Sequence, residues 1–251
     1  MCLLLIAFQQ HPKYSLIVAA NRDESYHRPT AKAHVWSDKP IILAGRDMEK
    51  MGTWMGVNNT GRFAALTNYR DPKSLTDGKR SRGEIVTNAL TYQGDLKSYI
   101  QYLDLTKDSY PGYNLVAGNG EELYYYSNIG QKPQSLGPGI YGVSNHQLNT
   151  NWPKVEKGKA GLNKLINNST ENLTEKLMDL LHDTEPASDD TLPSTGVTLE
   201  WERRLSPLFI QSENYGTRSS TVLLLSKTEI EYTERMFEKG KITDQKFTNS
   251  Y

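Results

Sequence analysis

Residues 1–8 read MCLLLIAF and residues 15–24 read SLIVAANRDE. Two apolar, β-prone runs flank a polar turn, and this pattern predicts a buried β-hairpin. In an antiparallel hairpin the start of one strand lies beside the end of the next. Cys2, the only cysteine of the chain, is therefore expected next to the polar tetrad Asn21-Arg22-Asp23-Glu24.

The position of Cys2 indicates a particular chemistry. An initiator methionine is readily removed when the second residue is small, and its removal would give Cys2 both a thiol and a free α-amine. The reference pKa of an α-amine is about 8 and that of a thiol about 8.5, so the amine can act as general base for the thiol. The alternative is a buried cysteine that behaves as a small hydrophobic residue.

Composition excludes several classes of protein. The 251 residues include 29 basic and 29 acidic side chains, a balance that argues against nucleic-acid binding. The apolar run at 3–8 is too short for a membrane helix and lacks a basic leader, so we expect a cytoplasmic protein without stable membrane insertion. No linker divides the chain, which predicts one domain over 1–251; its surface could also support a homodimer.

No cofactor or metal ion is expected. A single cysteine excludes an internal disulfide and a cysteine-based zinc site. The chain carries neither a P-loop nor a Gly-rich dinucleotide fingerprint.

The order of predicted elements indicates an α+β fold. A loop is expected at 26–33, and the last dozen residues should fray or add an edge strand. Strands are expected at 41–45, 52–58, 62–69, 113–118, 122–126, 139–145, 217–226 and 229–237. Helices are expected at 81–92, 96–103, 152–167 and 173–182, with a short amphipathic piece at 200–210. Because strand runs alternate with helix pairs, the pattern favours antiparallel sheets covered by helices.

Several further motifs occur in a fixed order along the chain. They are Gly52-Thr53-Trp54-Met55-Gly56, Leu66-Thr67-Asn68-Tyr69-Arg70, Ser81-Arg82-Gly83, Ser144-Asn145, Trp152-Pro153-Lys154 and the run from Tyr215 to Thr221. Together with Met1-Cys2 and residues 20–24, this set resembles the NRDE family, also called the transport and Golgi organisation protein 2 family, over nearly the full length.

That family is similar to N-terminal-nucleophile hydrolases of the choloylglycine hydrolase and acyl-coenzyme A:6-aminopenicillanate acyltransferase type. The resemblance implies a four-layer αββα sandwich of two antiparallel sheets. It also implies cleavage of a non-peptide amide by an N-terminal cysteine.

The resemblance assigns catalytic residues one by one. Cys2 matches the nucleophile, and Asp23 matches the acid that holds the amine and the thiol. Asn68 and Asn145 match the two oxyanion-hole residues, and Arg218 matches a C-terminal arginine of the site.

The chain departs from the hydrolase pattern at one position. The hydrolases carry an arginine three residues before the acid, where this sequence has Ala20. Arg22 lies two residues further along the same strand face and is the candidate replacement. With its neighbours Asn21 and Glu24, it is assigned to substrate binding.

Two functions are open at this point. The first is an amide hydrolase or acyltransferase that acts through Cys2 on a small-molecule amide or acyl substrate. The alternative is a non-catalytic binding or trafficking protein on the same scaffold, in line with the lipid or haem handling and secretory organisation linked to eukaryotic members. Its haem ligands would come from His27, His34 and His146.

Structural roles also compete for the proposed site residues. Asn68 and Asn145 are residues that commonly close turns. Arg22 and Asp23 would serve equally as a buried ion pair, and Arg218 as a partner of strand ends. The basic stretch Lys79-Arg80-Ser81-Arg82 before a helix is either a solvated loop or a contact for an anionic substrate group.

Overall fold

Strands make up the centre of the fold and helices cover it. The computed structural model describes residues 2–71, 78–130, 132–168, 171–238 and 240–250. Its strands are β1 (Cys2–Phe8), β2 (Leu16–Ser25), β3 (Thr30–Val35), β4 (Ile42–Asp47), β5 (Met55–Asn58), β6 (Phe63–Asn68), β7 (Tyr113–Gly118), β8 (Leu123–Ser127), β9 (Gln134–Leu136), β10 (Gly139–Val143), β11 (Tyr215–Leu225), β12 (Glu229–Glu238) and β13 (Lys241–Ser250). Its helices are α1 (Gly83–Thr91), α2 (Leu96–Leu105), α3 (Pro153–Asn168), α4 (Leu173–Leu181) and α5 (Leu199–Leu205).

The strands form two antiparallel sheets. Across the described ranges, the six-stranded sheet has the order β10-β1-β2-β11-β12-β13, and the seven-stranded sheet runs from β3 to β9 in chain order. The first hairpin, β1 with β2, lies inside the six-stranded sheet between β10 and β11. The prediction of a buried N-terminal hairpin is therefore confirmed.

Alternating side chains on the first hairpin enter two different cores. Leu4 and Ile6 pack between the two sheets, whereas Leu3 and Leu5 pack beneath α3 and α4. A third core lies between the seven-stranded sheet and the pair α1 and α2. These three cores separate four layers, and the expected αββα sandwich is confirmed.

Three strands differ from the sequence-based expectations, and one of them, β9, was not predicted at all. The predicted loop at 26–33 contains the start of β3, where the backbone N–H of Ala33 donates a 2.6 Å hydrogen bond to the buried carboxyl of Glu234. The strand expected from Gly52 begins only at Met55. Of the two alternatives for the end of the chain, the edge strand is the one that forms, as β13.

The predicted helices form, with one shifted start. Ser81 was expected to cap the first helix, but α1 begins at Gly83 after Arg82, and no side chain caps it. The amphipathic piece at 200–210 contains the short helix α5. Within the described ranges, no helix is both long enough and apolar enough to cross a membrane.

Candidate active site

Cys2 and Arg22 face each other across the first hairpin. The strand register pairs Cys2 with Arg22 and Leu4 with Ala20. Opposed residues of an antiparallel pair project from the same face, and Leu4 and Ala20 both lie in the core between the sheets. Cys2 and Arg22 continue that face, which confirms that the thiol lies beside the polar tetrad.

Arg22 connects the two sheets next to the thiol. Its Nη1 donates a 2.9 Å hydrogen bond to Oγ1 of Thr30 on β3, and its guanidinium lies 4.0 Å above the ring centre of Trp54. The carboxylates of Glu24 and Asp47 stand 4.0 and 3.9 Å away. Arg22 is buried, so both sheets fix the position of its charge.

Asn21 projects to the opposite face, beneath the helices. Its Nδ2 donates 2.8 Å hydrogen bonds to the carbonyls of Leu181, at the end of α4, and Leu208. Its Oδ1 accepts a 2.6 Å hydrogen bond from Ser220. Because every polar atom of this side chain is used and none lines the cavity described below, the geometry favours a structural role. It gives no support to the predicted substrate contact.

Asp23 borders the site from the helix side of the sheet. Its Oδ1 accepts a 2.7 Å hydrogen bond from Oγ1 of Thr217, which itself accepts one from the backbone N–H of Ile210. The hydroxyl of Tyr215 donates to the backbone carbonyl of Asp23. Burial raises the pKa of Asp23, whereas the cation of Lys154 acts in the opposite direction.

Lys154 is a charged partner of the site that sequence reasoning left without a role. Its side chain is buried, and its Nζ donates a 3.0 Å hydrogen bond to the carbonyl of Leu205. Burial lowers the pKa of Lys154 to about 8, while Asp23 and then Cys2 favour the charged form. A signal was available, because Lys154 stands in the first turn of α3, where the helix dipole disfavours a cation.

The two asparagines predicted for an oxyanion hole occupy different positions. Asn68 ends β6 and lines the cavity. Asn145 is fully buried, and its Nδ2 donates a 2.9 Å hydrogen bond to the backbone carbonyl of Asn68. The hydroxyl of the neighbouring Ser144 donates a 3.0 Å hydrogen bond to the backbone carbonyl of Cys2. Asn145 thus braces the two sheets, and its amide is already used in this arrangement.

Arg218 is also turned away from the cavity wall. It stands at a β-bulge, because the pairing of β11 with β2 shifts between Thr217 and Ser219. Its Nη1 donates hydrogen bonds of 2.8 and 3.0 Å to the carbonyls of Ser25 and Arg28. Arg218 therefore fixes the chain that follows β2 and carries Arg28 to the rim of the site.

A cavity of about 310 Å³ opens beside Cys2. This volume is at the small end of the range for ligand pockets, roughly 300–1,000 Å³. From the predicted set, Cys2, Arg22, Asp23, Glu24 and Asn68 line it.

The wall opposite the hairpin comes from two motifs that meet through their glycines. A methyl group at Gly52 would lie 2.5 Å from the carbonyl carbon of Gly83, so only glycine fits at position 52. The backbone N–H of Thr53 donates to the carbonyl of Gly83 at 3.3 Å. This contact brings Ser81 and Arg82 to the cavity and explains why β5 cannot begin at Gly52.

The surroundings of Cys2 oppose ionisation of its thiol, so a base would be needed to make it a nucleophile. Burial raises the pKa of Cys2; the carboxylate of Asp23 raises it further, and the guanidinium of Arg22 lowers it. A thiol with a raised pKa holds little thiolate at neutral pH. An amine on Cys2 itself would supply the base. Met1, whose removal would create that amine, lies outside the described residues.

The three histidines considered for haem lie apart and have local partners. His27 is 3.4 Å from Oδ1 of Asn214, and Nδ1 of His34 is 2.7 Å from the carbonyl of Lys32. His146 contacts Oγ1 of Thr150 at 3.0 Å. Among the described residues, no group of three or more His, Cys, Asp or Glu side chains could hold a metal ion.

Comparison with known proteins identifies the family. The family model for Transport and Golgi organisation 2 matches residues 1–239. This chain belongs to that family. It is 35% identical over 260 residues to the Transport and Golgi organization protein 2 homolog of Homo sapiens, covering 94% of this chain and 92% of the human protein. The Mus musculus Transport and Golgi organization 2 homolog is 34% identical, with 100% of this chain and 98% of the mouse protein covered.

Among solved structures, this family member is similar to the Caenorhabditis elegans ortholog of N-acylethanolamine-hydrolyzing acid amidase. The two share 11% sequence identity, with 89% of this chain and 92% of that chain covered, and the TM-score is 0.49.

Proposed function

We propose that this family member is an N-terminal-cysteine amidase or acyltransferase that acts on a small non-peptide amide. The observation that carries the proposal is the register of the first hairpin. It sets Cys2 opposite Arg22 and beside Asp23, in the wall of a cavity of about 310 Å³. A polar, partly enclosed thiol at the second position of the chain suits catalysis better than packing.

The proposed reaction begins after removal of Met1. The α-amine of Cys2 takes the thiol proton as sulfur bonds to the amide carbon. The tetrahedral intermediate then collapses, the carbon–nitrogen bond breaks, and the α-ammonium returns the proton to the leaving amine. Water, or a second amine in an acyl transfer, cleaves the thioester and regenerates the thiol.

Each neighbouring residue has a role in this proposal. The carboxylate of Asp23 holds the α-amine, while Lys154 offsets its buried negative charge. The side chain of Asn68 donates to the oxyanion, a contribution of roughly 3 kcal/mol for one such donor. Asn145 and Arg218 act as positioning residues, because the first holds the backbone of Asn68 and the second holds the chain after β2.

The location and assembly of the protein stay predictions. The cytoplasm and a homodimer are both compatible with this reaction, and native gel filtration of the untagged protein would test the second.

Intact mass tests the proposal directly. Untagged protein is weighed before and after treatment with iodoacetamide, with Cys2→Ala as the control. We expect a mass that lacks methionine and one rapid alkylation at neutral pH that Cys2→Ala abolishes. Retained methionine together with a slow thiol would overturn the proposal, and ligand binding that survives Cys2→Ala would then favour the non-catalytic alternative.

A library of small amides then tests the reaction itself. Hydrolysis by wild type should fall by a factor on the order of 10⁴ or more in Cys2→Ala, as for removal of other nucleophiles. Unlike Cys2→Ala, the variant Asp23→Asn keeps the thiol of Cys2. It should nevertheless react slowly, because the α-amine loses its carboxylate partner.

A further inference from the structure

The cavity carries an excess of positive charge that the whole chain does not. The chain as a whole is neutral, with 29 basic and 29 acidic residues. Among the described residues, six cationic side chains line the cavity, against three carboxylates. The cations are Arg22, Arg28, Lys50, Lys79, Arg80 and Arg82.

Several of these cations are already satisfied by the protein. Arg28 pairs with Asp47 at 2.6 Å and with Glu49 at 3.1 Å. Arg80 pairs with Glu84 at 2.6 Å and lies over the ring of Tyr110. Their charges are balanced locally, so neither needs a ligand.

Arg82 differs from these cations. Its Nη1 donates a 3.0 Å hydrogen bond to the backbone carbonyl of Gly112, and no carboxylate in the described part of the chain pairs with it. It is half-buried in the cavity wall and close enough to Cys2 and to Glu24 for their charges to interact, although Glu24 forms no ion pair with it. A guanidinium has five N–H donors, and a hydrogen bond to one carbonyl leaves most of them for other acceptors.

The anchor of Arg82 is rigid. The carbonyl of Gly112 also accepts a 2.9 Å hydrogen bond from the backbone N–H of Tyr69, which follows β6. A methyl group at Gly112 would lie 3.0 Å from Cβ of Tyr69, so the two segments are in close contact. One end of the guanidinium is thus held by backbone that adjoins the seven-stranded sheet, between the end of β6 and the start of β7.

We infer that the substrate carries an oxyanion, a carboxylate or a phosphate, which Arg82 binds while the scissile carbonyl lies at Cys2. The inference rests on the proposed function for the position of that carbonyl. A guanidinium binds such groups through two parallel hydrogen bonds, which gives orientation as well as affinity. Arg82 is then a substrate-binding residue that selects anionic amides.

Anion titration tests this site without requiring catalysis. Inorganic phosphate and acetate are titrated separately into Cys2→Ala by calorimetry at low ionic strength, and then into Cys2→Ala combined with Arg82→Gln. We expect Arg82→Gln to weaken binding of the preferred anion about tenfold, the effect of one lost charge-assisted contact. Tighter binding of phosphate would identify a phosphate site, and tighter binding of acetate would identify a carboxylate site.

Arg80→Gln is the matched control, because it removes the same charge from the same cavity wall. Its effect on anion affinity should be less than twofold, since Glu84 already neutralises Arg80. Arg82→Lys should recover part of the affinity and shows that the loss in Arg82→Gln does not come from misfolding. Equal losses in Arg80→Gln and Arg82→Gln, or no measurable binding of either anion, would overturn the inference.

A pair of thiol reagents provides a second measurement. Iodoacetate is anionic and iodoacetamide is its neutral analogue, so the ratio of their rate constants at Cys2 reports the local attraction for anions. Arg82→Gln should lower that ratio about tenfold relative to wild type, within the range of local-field effects on association rates. An unchanged ratio with rapid labelling by both reagents would contradict the inference and leave the proposed nucleophile intact.

Discussion

At the end of the first hairpin, the two faces of the six-stranded sheet carry different arrangements of charged groups. On the helix face, Asp23 is buried with Lys154 and Thr217, so a carboxylate, a cation and a hydroxyl are brought together. On the face toward the seven-stranded sheet, Cys2 and Arg22 border an open cavity with surplus cations. The first face is satisfied internally, whereas the second has donors for a ligand.

This difference shows how one tetrad can serve two purposes. Because side chains alternate along β2, Asn21 faces the helices and Arg22 and Glu24 face the cavity, while Asp23 borders the cavity from the helix side. Asn21 fixes the position of the strand, Asp23 is proposed to hold the α-amine of Cys2, and Arg22 and Glu24 present charge to the cavity. Variants on the two faces should therefore separate loss of stability from loss of chemistry.

Lys154→Met should produce the largest loss of stability. It removes the cation that favours the ionised form of the buried Asp23, and loss of one charge from a buried pair destabilises proteins by at most roughly 3–5 kcal/mol. Urea denaturation measures the change. Lys157→Met on the same helix is the control, because Lys157 is exposed and its ion pairs with Asp183 and Glu185 should contribute less than about 1 kcal/mol.

A double variant sharpens this test. In Lys154→Met combined with Asp23→Asn, neither charge remains, so the loss should be smaller than the sum of the two single losses. Additive losses would show that Asp23 and Lys154 do not interact across the helix face.

Glu234→Gln should change how stability depends on pH. Burial raises the pKa of Glu234 on β12 to about 7 from its usual value of 4.5, while Ala33 and Arg22 act in the opposite direction. Between these two pH values the folded state keeps a proton that the unfolded state has lost. The free energy of unfolding of wild type should therefore fall by roughly 3 kcal/mol as pH rises from 4.5 to 7.

The variant should lack that fall, because glutamine does not titrate. Urea denaturation at several pH values gives both curves, and Glu238→Gln, at an exposed position of the same strand, should follow wild type. Parallel curves for wild type and Glu234→Gln would show that Glu234 does not hold its proton in the folded state.

Asn21→Ala should give the smallest effect and tests the separation of the faces. Loss of the amide leaves the buried carbonyls of Leu181 and Leu208 without their donor, which should destabilise the protein by about 2 kcal/mol. The rate of iodoacetamide labelling at Cys2 should change less than twofold. A labelling rate several-fold below that of wild type would show that Asn21 also shapes the cavity.

Local sequence patterns predicted much of the fold because they express short-range physics. Two continuous apolar runs around a polar turn identified the first hairpin, and helical spacing identified α2 to α4. Strand β3 was missed because its sequence, Thr-Ala-Lys-Ala-His-Val, has weak apolar alternation, and pairing with β4 stabilises it instead. The close contact of Gly52 with Gly83 was not predicted, because the two residues lie too far apart along the chain to be paired from sequence.

The candidate site was predicted in part for the same reason. The pairing of Cys2 with the tetrad follows from hairpin geometry, which residues close in sequence determine. The position of Arg218 depends on a bulge in a strand nearly 200 residues away from Asp23. The hydrogen bond of the Asn145 amide depends on a contact between two sheets. Neither contact produces a periodic pattern in the sequence.

The sequence by itself determined the order of the elements, the faces of the first hairpin and the presence of a thiol beside Asp23, because each depends on neighbours along the chain. The tertiary structure alone decided that Lys154 is buried with Asp23, that Asn145 binds the backbone of Asn68 and that Arg82 reaches the cavity without an ion-pair partner among the described residues. Desolvation and hydrogen-bond partners decide those three outcomes, and both depend on groups that only folding brings together.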